Sequence, residues 1–383
     1  MVIGIDANEA NVDSRVGISE FAYQILNKLY EFRREDKNEY EFIIYLKAKP
    51  LSHLPKETSW WKYTIIRPSR LWTQIGLPIH LLTTSEKPDV FLTLTHYGPR
   101  FSRIPTIVSV MDLSFLHFPQ TFKKNDLYQL TKWTEYSVRK AKKIITISNS
   151  SKDDIIKYYK VPSEKVNVVY LGLKNLAMNE PSEKELSEFG VNKKFILFVG
   201  TLQPRKNISR LIESFAKLPQ DIKSDYQLVI IGKKGWLFEE ILEAPEKFGV
   251  SESVVFLDYV SDIDLPNFYK KAEIFVLPSL YEGFGLPILE AMRYGCPVIA
   301  SNVSSLPEAG GDAALYFEPE NTNDIKNIIE KVLTDNALRE KMIVRGREHY
   351  KKFTWEKAAK QVLSTIEEVA KLGNKTQVVE VRN

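Results

Sequence analysis

Short apolar runs alternate with helix-period segments along this 383-residue chain, and they do so in two separate series. Val2–Asp6, Phe42–Leu46, Tyr63–Ile66, Val90–Leu94, Thr106–Val110, Ile144–Ile147 and Val166–Tyr170 form the first. Phe195–Val199, Leu228–Ile231, Val254–Leu257, Ile274–Leu277, Val298–Ala300 and Ala314–Phe317 form the second. Continuous apolar runs mark strands buried on both faces of a parallel sheet. Strands separated by amphipathic helices build doubly wound sheets. The expected fold class is therefore α/β, with two doubly wound, Rossmann-like domains facing a cleft that holds the active site.

Between the series, from about Leu171 to Lys193, periodicity fades and charge rises, the composition of a linker. This sets an N-terminal domain over 1–175, a second over 190–350 and a final segment over 351–383. Phe21, Ile25, Leu29 and Phe32 space as the buried stripe of a helix from Ser19 to Arg34. Further helices are expected over Leu71–Thr83, interrupted near Pro78, over Lys123–Lys142, and over Asn149–Tyr159, capped by Ser148 or Asn149. Three amphipathic helices close the chain: Asn323–Leu333, Ala337–Tyr350 and Trp355–Leu372, with a frayed polar tail after Gly373.

An apolar content of 44% with 27% charged residues fits a globular enzyme. No run of about eighteen apolar residues exists to span a bilayer. The chain opens directly on a strand, which leaves no room for a signal peptide and predicts a cytoplasmic protein. The one cysteine, Cys296, excludes an internal disulfide and sits in an apolar setting. The net charge of +4 divides into +8 over residues 1–175 and −4 over the remainder. Residues 120–160 alone hold ten Lys or Arg against four acids. A solvated helix face explains that stretch first, peripheral contact with an anionic membrane second; no aromatic-basic motif supports nucleic acid.

Chemistry concentrates in Val276–Ser301, which reads as strand, glycine loop, short helix, turn and strand. Gly283 and Gly285 permit a tight turn and close approach to a ligand. Pro287 suits the first helical turn, and Gly295 with Pro297 ends the helix. The backbone N–H groups of 284–288, from Phe284 and Leu286 onward, are expected unpaired above a strand end, where an anion binds. Glu282 and Glu290 flank that position. Carboxylates repel phosphate but accept from vicinal hydroxyls, so the pairing fits a nucleotide-sugar diphosphate. Two solvated surface glutamates are the competing reading from spacing alone. Arg205 and Lys206 follow a strand and Gly200, precede a helix capped by Asn207, and so aim two cations at an anion. Gly17, ahead of the first helix, is a weaker anion or sugar candidate.

Glu282-x7-Glu290 within PSLYEGFGLPILEAM resembles the signature of retaining glycosyltransferase family 4, of the two-domain GT-B type. Phe198–Asn207, Ile145–Ser151 and Ser301–Glu308 resemble other family segments, in family order. The resemblance implies a final helix returning to the N-terminal domain, and donor contacts from Gly17, Gly200, Gly283, Phe284, Gly285, Leu286 and Glu290. It also implies a catalytic set of Glu282, Arg205, Lys206 and Asp112. The family usually places His-Asp at the end of the Thr106–Val110 strand; here Met111 precedes Asp112, so an imidazole is missing.

No metal site is expected. The five histidines (53, 80, 96, 117 and 349) lack ligand spacing, and Asp262-Ile263-Asp264 is better read as the N-cap of the next helix. The leaving diphosphate is then stabilised by Arg205, Lys206 and backbone amides, with no cofactor. The implied activity is metal-independent, retaining hexose transfer from a nucleotide diphosphate donor to a glycan or lipid-linked acceptor. The GFGLP and SNVSSLPE segments most resemble mannosyltransferase-like members that build cell-surface polysaccharide, which puts GDP-mannose first as donor. UDP-glucose and UDP-N-acetylglucosamine follow, and a non-catalytic sugar-nucleotide-binding subunit is the other reading. Peripheral attachment at the inner membrane face accompanies a lipid-linked acceptor.

Overall fold

The structure, a computed structural model, describes residues 1–15, 17–36, 39–173 and 185–380, with the side chains of Asp36 and 373–380 left out of the description. The core of the expected linker, 174–184, lies outside the described residues. The chain divides into two compact units: Met1–Gly172 with Thr354–Asn383, and Leu173–Phe353.

The first unit carries seven strands: β1 Val2–Asp6, β2 Glu41–Leu46, β3 Trp61–Ile65, β4 Val90–Thr93, β5 Thr106–Ser109, β6 Lys143–Thr146 and β7 Val166–Val168. They pair in parallel in the order β3-β2-β1-β4-β5-β6-β7. Residues such as Ile5, Ile44, Leu92 and Ile107 are inaccessible to solvent, as strands covered on both faces require. The first helix spans Ile18–Asp36 and buries Phe21, Ile25 and Leu29. Phe32 is half-buried, with the Lys360 ammonium 5.9 Å from its ring centre. Ser148 caps Asn149–Tyr159 by accepting the Ser151 N–H at 3.0 Å.

Pro78 does not interrupt a helix. A π-turn, Trp72–Gly76, leads into an α-helix over Leu77–Thr83, and Pro78 sits in its first turn, where the missing N–H has no partner to lose.

The closing helix, Trp355–Glu380, packs on the first helix and on β4, β5 and β6, and so completes the first unit. Trp355 meets Phe21, the Tyr40 hydroxyl donates to Glu367 at 2.6 Å, and Asn167 donates to the Thr365 hydroxyl at 3.0 Å. A Cβ at Gly172 would stand 2.2 Å from the Trp355 nitrogen, so only glycine lets the outgoing and returning chains pass. The helix continues past Gly373, where the sequence predicts fraying.

The second unit carries β8 Lys194–Val199, β9 Tyr226–Ile231, β10 Val254–Leu257, β11 Ile274–Leu277, β12 Val298–Ser301 and β13 Ala314–Phe317. Their order is β10-β9-β8-β11-β12-β13, again all parallel. Strand order reverses between β8 and β11. In such sheets ligands bind beyond the carboxyl ends of the strands at that point.

Candidate active site

The loops after β8 and β11 lie side by side because those strands pair, Ile274 opposite Ile196. The first loop leaves through Gly200, whose N–H donates to the Ile231 carbonyl at 2.9 Å, and reaches a single 3₁₀ turn, Pro204–Lys206. The Leu280 N–H donates to the Arg205 carbonyl at 2.8 Å, stitching the loops together. Asn207 is not the side-chain cap that its position suggests. Its backbone is left-handed (φ 59°), and its buried amide donates instead to Pro278 (3.0 Å) and Pro319 (2.7 Å). It thereby ties the ends of β8, β11 and β13.

Glu282, on the second loop, is buried and meets both cations of the first. Lys206 Nζ donates to Oε1 at 2.5 Å, and Arg205 Nη1 donates to Oε2 at 3.1 Å. The Ser279 hydroxyl donates to Oε1 at 2.6 Å, and Arg205 also donates to the Tyr281 carbonyl. Burial alone would raise this carboxyl, but Lys206, Arg205 and the hydrogen bonds outweigh it and bring it down to about 2. Glu282 is therefore ionised across the physiological range. A carboxylate has roughly four acceptor sites, and three are taken, which leaves one on Oε2 for a hydroxyl. Arg205 and Lys206 carry roughly five and three N–H donors, more than the carboxylate and Tyr281 use. The residues expected separately on phosphate and on sugar thus form one bonded cluster.

The segment Ser301–Glu308 braces this loop. Glu282 N–H donates to the Ser304 hydroxyl at 3.0 Å, and the Ser305 hydroxyl donates to the Glu282 carbonyl at 2.8 Å. Gly283 and Phe284 are buried in the turn that follows. Gly285 adopts φ 106°, and a Cβ there would come within 2.8 Å of Leu306, so the turn into Leu286–Arg293 requires glycine. The expected row of open amides over 284–288 is shorter than the sequence suggests. Pro287 has no N–H, and Ile288 donates to the Gly285 carbonyl at 3.0 Å. Glu290, half-buried one turn on, accepts from the Tyr269 hydroxyl at 3.0 Å, and Tyr269 in turn stacks on Tyr294.

Asp264 stands at the start of Leu265–Lys271 but makes no side-chain bond to the helix amides. The Ser261 hydroxyl holds it instead, donating to Oδ2 at 2.7 Å. Among the described residues, no group of three or more His, Cys, Asp or Glu could hold a metal ion. Cys296 is buried, and burial pushes its thiol pKa up.

Asp112 and Gly17 belong to the first unit. Gly17 (φ 55°) opens the first helix, its carbonyl accepting the Phe21 N–H at 3.1 Å. Asp112 follows β5 and accepts the Ser114 N–H at 2.8 Å. The Met111 N–H donates to His96 Nε2 at 3.3 Å, so an imidazole from the loop after β4 stands against the Met111-Asp112 pair. Burial lowers the His96 pKa, and the nearby Asp112 charge opposes that in part. His96 Nδ1 is buried without a hydrogen-bond partner. Asp6, at the end of β1 and beside β4, is raised to about 6 by burial despite two bonds from Asn8. Motif spacing gave no sign of Asp6; its place at the reversal of strand order does.

Two parallel sheets, each with a reversal in its strand order, are the fold of GT-B glycosyltransferases. Residues 179–349 match the family described as "Glycosyl transferases group 1", and 29–174 match "Glycosyltransferase Family 4". The O-antigen chain mannosyltransferase B of Escherichia coli is 34% identical over 277 residues, covering 70% of this chain and 73% of that one. The chain belongs to glycosyltransferase family 4, among mannosyltransferase-like members. Other mannosyltransferase relatives are longer, and the chain spans 28–29% of their length. Among solved structures, sucrose-phosphate synthase from Thermosynechococcus elongatus superposes with a TM-score of 0.73 at 18% identity, covering 96% of this chain and 98% of that one. Anabaena Alr3699/HepE in complex with UDP and glucose gives 0.71 at 19%, covering 96% and 99%. No helix among the described residues is long and apolar enough to cross a membrane.

Proposed function

We propose that this glycosyltransferase moves a hexose, with retention and without a metal, from a nucleotide diphosphate sugar to a cell-surface polysaccharide or lipid-linked acceptor. Mannose from GDP-mannose is the first donor, supported by the O-antigen chain mannosyltransferase B relative. The reading is carried by the Glu282–Arg205–Lys206 cluster at the β8/β11 switch point. Donors on Arg205 and Lys206 not used by Glu282 take the diphosphate, while the remaining acceptor site on Glu282 takes a sugar hydroxyl. Glu290, oriented by Tyr269, accepts from the ribose hydroxyls. Charge leaving with the diphosphate is met by cations already in place, and the diphosphate itself receives the acceptor proton. UDP-glucose is the competing donor, since HepE of the same fold holds UDP and glucose.

A thermal-shift screen with GDP-mannose, UDP-glucose, UDP-N-acetylglucosamine and the free diphosphates tests the donor. A true ligand at ~100 times its Kd stabilises by ~2.7 kcal/mol. Stabilisation by none of them would overturn the reading. Proton NMR of the product's anomeric centre tests retention.

A further inference from the structure

Solvent-facing sides of helices are ordinarily polar. The stretch Leu71–Thr83 departs from this. Its inner side buries Trp72, Leu77 and Leu81 against Tyr45, Ile66 and Phe91. Its outer side carries Leu71, Ile75, Ile79 and Leu82, spaced to share one face and 46%, 43%, 56% and 52% exposed. Phe101, 73% exposed, follows Arg100, which is bonded to this stretch. The Arg100 N–H donates to the Thr73 carbonyl at 3.2 Å, its guanidinium bonds Gln74, and the Phe101 N–H donates to the Tyr136 hydroxyl at 3.1 Å. Within its two segments the charge is one-signed, the next acid being Glu86, four residues beyond Leu82. Residues 65–83 hold Arg67 and Arg70, and residues 96–105 hold Arg100 and Arg103, with no carboxylate in either segment. Arg67, Arg70 and Arg103 are exposed.

We propose that this face docks on an anionic lipid bilayer. The five apolar side chains enter the boundary between headgroups and acyl chains, and the arginines bind lipid phosphates. A second copy of the chain fits less well, because it would add a second set of arginines and no carboxylate from these segments to the contact. The basic stretch 120–160 is a weaker lipid surface, since it carries its own countercharges. Arg139 pairs with Glu135 at 3.1 Å, and Lys143 pairs with Glu368 at 2.8 Å. The docking face goes beyond the donor reading and uses none of its residues.

Flotation of the full chain with vesicles tests this. Vesicles of equal parts phosphatidylglycerol and phosphatidylcholine should bind it about tenfold or more above phosphatidylcholine alone, with salt weakening the attachment. The triple variant Ile79→Ser, Leu82→Ser, Phe101→Ser should lose about tenfold in binding, and Phe101→Ser alone should lose part of it if the triple variant folds poorly. Arg67→Gln with Arg70→Gln should erase the preference for anionic lipid. Lys123→Gln, Lys124→Gln and Lys140→Gln together should change nothing. Three results would overturn the proposal: no vesicle binding by the wild type, binding that survives the apolar substitutions, or binding abolished by the lysine substitutions. A wild-type dimer that ignores vesicles and dissociates in the triple variant would assign the face to a second copy instead.

Discussion

The Met111 N–H points at His96 Nε2, 3.3 Å away, so that ring nitrogen carries no proton and the other one does. Protonating Nε2 would set two donors against each other, and burial already holds the His96 pKa below its ordinary value. Both effects favour the neutral imidazole. A profile of kcat/KM against pH should therefore show no inflection near ~6.5. An inflection there that vanished in His96→Gln or His117→Gln would make a histidine the proton carrier. The stability consequence has a definite sign. A depressed histidine contributes stability above the unfolded value, which is lost as pH falls from ~6.5 toward the folded one. The melting temperature should drop over that window, and less so in His96→Gln.

Removing the Glu282 carboxylate leaves two half-buried cations facing each other. Breaking such a pair costs about 3–5 kcal/mol, so Glu282→Ala should melt well below the wild type and turn over donor far more slowly. A nucleoside diphosphate can supply the missing charge. GDP should therefore raise the melting temperature of Glu282→Ala by more than that of the wild type. An equal or smaller rise would detach Arg205 and Lys206 from phosphate binding. In the wild type, the lowered carboxyl contributes about 3 kcal/mol that is present above pH 4.5 and lost as pH falls toward 2.

Glu290 should act on binding rather than on turnover. Glu290→Ala should weaken GDP affinity about tenfold or more, the value of hydrogen bonds to a charged acceptor. Tyr269→Phe, which frees the carboxylate from its hydroxyl partner, should cost a smaller factor. Calorimetric titration with GDP decides this; unchanged affinity in Glu290→Ala would remove the ribose assignment.

If Arg205 and Lys206 neutralise the diphosphate as proposed, donor turnover should survive EDTA. Loss of activity that Mn²⁺ restores would return attention to Asp262 and Asp264.

The alternation of apolar runs located all thirteen strands of the described residues to within about two residues, because strands covered on both faces have no polar side to blur their pattern. Local patterns failed where a side chain serves distant backbone. Asn207 has the position of a cap, but its partners lie 71 and 112 residues away, at Pro278 and Pro319. The open amides expected over 284–288 shortened for a local reason that the sequence already contained, a proline without an N–H. Glu282, Arg205 and Lys206 were each legible from motif and placement. Their bonding to one another was not, since it depends on β8 pairing with β11. His96 carries no motif, and its ring reaches the Met111-Asp112 pair only because β4 pairs with β5.

The first unit closes only with the helix that begins at Trp355, while the second is complete by Phe353. On the ribosome, the order of completion therefore runs against the order of synthesis. Phe21 and the sheet behind it emerge first yet lack their covering helix until residues 355–380 are made. The nascent N-terminal half is then the portion with most need of a chaperone. A fragment cut after Gly172 would show apolar surface to solvent unless 354–380 were supplied in trans.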